Sequence, residues 1–170
     1  MRQLLDRFFS ATGYLAGLFM VGTLLSVLAS ILGRLHPVFD LPGADAYAGY
    51  CMAISAFLAL APTLRRGEHI RVTLILSALS GRWKKGMEVW ALTFASALSC
   101  LFAFYSCRLS WQSRMFNDIS TGSDATPLWI PQIGMAVGTV ILAIAFVDEL
   151  VLELRGQRVT LSSDEPLRNE

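Results

Sequence analysis

The densest group of chemically competent side chains is "LRRGEHIRVTLI", Leu64 to Ile75, which places Arg65, Arg66, Glu68, His69 and Arg71 within seven consecutive positions. Guanidinium groups at this spacing suit bidentate hydrogen bonding to carboxylates or phosphates and attachment to anionic headgroups. Other chemistry lacks its partners. The two histidines, His36 and His69, fall on opposite sides of the topology derived below, so they cannot share a metal, and no metalloprotease helix, phosphate loop or nucleophile elbow is present. The three cysteines, Cys51, Cys100 and Cys107, contain no C-x-x-C pair. The last two share a helical face about 10 Å apart along its axis, too far for a disulfide, and all three read as small hydrophobes. No catalytic constellation, cofactor site or nucleic-acid surface emerges, and the chain is not expected to be an enzyme.

The elements that must carry these residues follow from composition. Of 170 residues 54% are hydrophobic and only 16% charged, against about 25% charged in soluble domains, and the mean hydropathy is +0.53. Ionisable residues divide the chain into uncharged stretches Phe8 to Gly33, Ala46 to Leu64, Val89 to Cys107 and Ala125 to Val147. Each is close to or above the roughly 20 residues that cross a hydrocarbon core about 30 Å thick. Because unpaired backbone groups are costly in lipid, each should be helical almost throughout. The expectation is an all-α membrane protein with four transmembrane helices, at about 10–33, 46–64, 87–107 and 126–150, forming a membrane domain over 1–154. The first stretch is too long for the apolar part of a cleaved signal peptide and ends without a small-residue cleavage site, so it is read as a retained helix.

Lysine and arginine counts set the orientation. The N-terminus, the loop between the second and third spans and the C-terminal segment share Arg2, Arg7, Arg65, Arg66, Arg71, Arg82, Lys84, Lys85, Arg155, Arg158 and Arg168, whereas the other side has Arg34, Arg108 and Arg114. The positive-inside rule places both termini in the cytoplasm. Trp83 and Trp90 at one boundary and Tyr47, Tyr50, Tyr105, Trp111 and Trp129 at the other fit interfacial belts. "IRVTLILSALS", about 70–80, is too short to span and gathers Thr73, Ser77 and Ser80 on one narrow face. It reads as a short amphipathic surface helix between the second and third spans, or as an inward continuation of the third. Residues 155–170 form a polar cytoplasmic tail. Small residues mark faces for close helix approach: Gly13 with Gly17, Gly134 with Gly138, and Ala91, Ala95, Ser99 and Ala103 down the third helix.

The interiors of the spans hold no carboxylate, lysine, arginine or histidine, the residues that most often mark ion paths and substrate sites in membranes; Glu88, Asp148 and Glu149 fall only at span ends. Paired, Gly/Pro-broken helices are not evident either. A complete ion-coupled transporter is therefore not expected, and an accessory subunit is. The alternative is a small self-contained transporter built by homo-oligomerisation.

Together, "LRRGEHIRVTLI" after the second span and "TPLWIPQIGMAVG" opening the fourth resemble the two hallmarks of the small permease subunit, the DctQ type, of tripartite ATP-independent periplasmic (TRAP) transporters. The resemblance extends over nearly the whole chain in length, span number and orientation. It implies a non-catalytic subunit that braces a large sodium-coupled membrane subunit and helps a periplasmic solute-binding protein dock during organic-acid uptake. It further implies that Arg65, Arg66, Gly67, His69 and Arg71, with Pro127, Trp129, Pro131 and Gln132, contact the large subunit or lipid. One departure is Thr73, where relatives often carry an acidic residue. On the outer face Asp118 and Asp124 are the candidate contacts for the binding protein, whose surface must be complementary for productive docking.

Overall fold

A computed structural model describes residues 2–36, 42–65, 82–122 and 124–156. Every regular element among them is a helix: α1 (Arg2–Leu35), α2 (Ala44–Arg65), α3 (Arg82–Met115) and α4 (Trp129–Leu154). All four are long and apolar enough to cross a membrane. The expected surface helix at 70–80 and the tail beyond 156 lie outside the described residues.

The helices outrun their uncharged stretches, because a helix does not stop at the edge of the hydrocarbon layer. With 34 residues each, α1 and α3 are about 51 Å long against a core of about 30 Å. The fourth helix begins at Trp129 rather than at 126. Residues before it are committed to a small hairpin in which Ile119 bridges Pro127, the Ser120 amide donates to the Thr126 carbonyl at 2.9 Å and the Leu128 amide donates to the Asp118 carbonyl at 3.0 Å. Pro131 falls in the first turn of α4, where amides have no carbonyl to reach within the helix. Pro62 interrupts the last turn of α2, and the Thr63 hydroxyl donates to the carbonyls of Ala59 and Leu60 at 2.9 Å each.

In space the order is α1, α2, α4, α3, with each helix packed on the next. Buried positions explain this order. On α1 a single seam faces inward: Phe9, Thr12 and Ala16 are buried, and Leu5, Phe19, Thr23 and Ser26 partly so. Steps alternating between four and three keep such a seam on one side of a helix. The rest of α1, including Tyr14, Leu18, Met20, Leu24 and Leu25, is exposed, which suits a helix at the edge. On α3 the seam is Leu92, Ser96, Ser99, Ala103, Ser106, Ser110 and Ser113. This corrects the expected stripe: Ser99 and Ala103 belong to it, but Ala91 is exposed and Ala95 only half-buried. Three successive steps of four residues drift about 40° each around a helix, whereas the alternating pattern does not. By contrast α4, in the middle, buries residues on two sides, including Ala136, Thr139, Ile141, Leu142 and Ala145.

Candidate functional site

Among the described residues, two polar clamps, one at each end of the bundle, and an apolar groove along its side are the features to consider for a partner. The first clamp is built on Arg65, the last residue of α2. Its Nη1 donates to Asp6 Oδ1 of α1 at 2.9 Å, its Nη2 donates to Asp148 Oδ2 of α4, and its guanidinium lies 4.7 Å from the centre of the Phe9 ring. The Arg65 and Asp148 side chains are only 17% and 24% exposed, against 57% for Asp6. Arg65–Asp148 is therefore the stronger pair, since screening weakens the outer one. An arginine suits this place because its planar fork can serve two carboxylates at once. Three helices are tied at the end where α1 begins and α2 and α4 finish.

The opposite end is held by Asp124. Its Oδ2 accepts from the Tyr50 hydroxyl of α2 at 3.0 Å and from the Thr126 amide at 3.3 Å, while Oδ1 accepts from the Ser120 hydroxyl at 2.9 Å. Hydrogen bonding from the Thr126 side chain, helped by the Ser120 and Tyr50 hydroxyls, holds its carboxyl below the ordinary 3.8 despite an opposing contribution from desolvation. Gly43, in the turn before α2, has φ of +85°, and a Cβ there would stand 2.4 Å from Asp124 Cβ. Glycine is required twice over, by backbone conformation and by this approach. Asp124 thus joins the α1–α2 turn, α2 and the hairpin before α4. Beside it, Ser30 and Arg34 of α1 reach Asp45 of α2 at 2.6 and 3.4 Å.

Between the clamps the helices meet through small residues. A Cβ on Gly138 would lie 2.7 Å from the carbonyl carbon and oxygen of Phe57, and one on Gly134 would lie 2.5 Å from Ile54 Cγ1. The "GMAVG" face therefore packs inside this chain, α4 against α2. In "GYLAG" the roles split: Gly13 meets Pro62 at 3.7 Å and Gly17 has nothing within 4 Å. The Ser55 hydroxyl crosses from α2 to the Ala16 carbonyl of α1 at 2.8 Å. The groove runs over α4 between α3 and the start of α1, with Arg114 stacked on Trp129 at 5.4 Å at its mouth.

The residues singled out from sequence fare differently. Arg65 has its partners inside the chain. Arg66, Gly67, His69 and Arg71 lie outside the described residues. Pro127 is in the hairpin bridge, Trp129 lines the groove, Pro131 is half-buried in the first turn of α4, and Gln132 has its side-chain Oε1 buried with no hydrogen-bond partner among the described residues. Asp124 is engaged within the chain, whereas Asp118 is exposed. Asp6, Ser55 and Asp148 escaped sequence reasoning, and Tyr50 was read only as part of an interfacial belt. The available signal was their level: Asp6 and Asp148 sit at the same membrane boundary as Arg65 once the four spans are drawn.

Residues 23–156 match the family model for "Tripartite ATP-independent periplasmic transporters, DctQ component". No curated protein and no solved structure matches the chain.

Proposed function

The chain belongs to the DctQ family of tripartite ATP-independent periplasmic transporters, which makes it a small membrane subunit of such a system, and from that premise we propose that it is a static brace. It would hold the large sodium-coupled subunit in place and help the periplasmic solute-binding protein to dock during uptake of an organic acid. The observation that carries this reading is the pair of clamps. Arg65 with Asp6 and Asp148 at one end, and Asp124 with Tyr50 at the other, tie consecutive helices at both membrane boundaries. Close glycine contacts fill the interval between α2 and α4. A body fastened in this way resists the sliding or rocking by which transport domains carry cargo, and serves better as the part against which another moves. The large exposed apolar surfaces of α1 and α3 offer area for a membrane partner.

The orientation proposed is the bacterial inner membrane with both termini cytoplasmic. Arg65 and the basic turn after it then face the cytoplasm, and the Asp124 hairpin, with exposed Asp118, faces the binding protein. Affinity purification of the tagged chain from its native membrane tests the proposal. A much larger multi-span protein should accompany it in a fixed ratio. Recovery of the chain only as copies of itself would overturn the reading and favour a self-contained homo-oligomeric transporter.

A further inference from the structure

The groove over α4 has a volume of about 450 Å³ and an almost wholly apolar lining, in which Trp111 and Arg114 of α3 and Trp129 of α4 form one end, Val137 the middle, and Ile144 with Phe8 of α1 the other. From Trp129 to Ile144 is fifteen residues, about 22 Å along the axis. This is the depth of one leaflet, half of a bilayer about 40–45 Å thick with its headgroups. The groove is open along its length, and an extended hydrocarbon chain can lie in it.

The charges at its ends say what kind of chain. The Arg114 side chain has no carboxylate within 4.0 Å among the described residues and rests on Trp129, leaving its donors available. Trp111 and Trp129 mark headgroup depth. An arginine there recognises phosphate by paired charge-assisted bonds. A second apolar hollow continues past Val140 and Ile144 to Val151, but its one charged lining residue is Asp148, a carboxylate paired with Arg65 that offers a phosphate no donor. We propose that this groove seats one phospholipid from the leaflet on the Trp111 side, its phosphate on Arg114 and one acyl chain along Val137 towards Phe8. This inference rests on the chain lying in a membrane and not on the transporter reading.

Native mass spectrometry of the full chain in mild detergent provides the test, with phosphatidylglycerol and a galactosyl diacylglycerol of identical acyl chains as probes. One phosphatidylglycerol per chain should be retained, about tenfold more strongly than the glycolipid, which corresponds to about 1.4 kcal/mol. Arg114→Gln should abolish that preference, and Val137→Trp, which fills the groove, should weaken both lipids. Helicity and thermal unfolding report whether each variant folds; if Arg114→Gln does not, the preference of the unaltered chain decides. Equal retention of the two lipids, variants that bind as the unaltered chain does, or displacement of the lipid by millimolar inorganic phosphate would overturn the proposal. So would a crosslink from Val137→Cys to a second polypeptide in the purified complex.

Discussion

Adding one methyl group at Gly138 should separate α2 from α4. The new Cβ would lie 2.7 Å from the carbonyl carbon and oxygen of Phe57 and 2.8 Å from its Cβ, and two of these three atoms are backbone that no rotamer change can move. The helices must part by several tenths of an ångström over their contact, and overpacking of this kind costs about 1–3 kcal/mol. Alanine's greater helix propensity returns less than about 1 kcal/mol. The net for Gly138→Ala is a loss of about 1–2 kcal/mol, a five- to thirtyfold fall in the ratio of folded to unfolded protein. Gly134→Ala should cost less, because Ile54 is a side chain that can turn away. Gly17→Ala should cost nothing, since no atom lies within 4 Å of the added group. Titration of the purified protein with sodium dodecyl sulfate in mixed micelles, followed by tryptophan fluorescence and circular dichroism, ranks the three. If Gly138→Ala unfolds at or above the wild-type midpoint, or if Gly17→Ala is the most damaging, the α2–α4 contact described here is wrong.

Arg65→Ala removes the shared partner of Asp6 and Asp148 and should lower stability by about 1–3 kcal/mol, between the values for exposed and fully buried pairs, while Asp6→Asn, at the more exposed pair, should cost less; the same micelle titration separates them. Ser55→Ala deletes the hydroxyl that bridges α2 to the Ala16 carbonyl and should cost about 0.6–1.5 kcal/mol by that titration. Asp124 carries a pH signature. Because its folded pKa is depressed, its contribution is present above the ordinary 3.8 and is lost as pH falls through that value and then through the lower folded one. Limited proteolysis at 116–128 should therefore show a hairpin equally resistant from pH 7 to about pH 5 and loosened only under stronger acid, whereas in Asp124→Asn that acid-dependent step should be missing.

Four helices long and apolar enough to span a membrane were legible because lipid penalises charge and unpaired backbone so heavily that hydropathy alone marks them. The pairing of the helices was less so. Gly13–Gly17 and Gly134–Gly138 share the same spacing, yet one pair of glycines is pressed against a neighbouring helix and half of the other faces open space. Spacing tells which residues share a face and is silent on what covers it. The same gap explains the α3 stripe, where counting small residues every four positions led off the true seam by its N-terminal end, and Ser96 takes the place given to Ala95. Arg65 stood out as a basic residue closing a span, but its value depends on two carboxylates 59 and 83 positions away. Asp124 drew notice as an outer charge, and only the fold turns it inward onto Tyr50. The family's basic turn, Arg66 to Arg71, remains a sequence motif, outside the described residues.

Reconstituted uptake bears most directly on the claim that this chain supports transport without performing it. Proteoliposomes holding the large subunit, this chain, or both would be supplied with the partner binding protein loaded with its radiolabelled organic acid, under an inward sodium gradient. Uptake should occur only when both membrane proteins are present, and this chain alone should give the rate of empty liposomes. Uptake by this chain alone, or an undiminished rate when it is left out, would contradict the account.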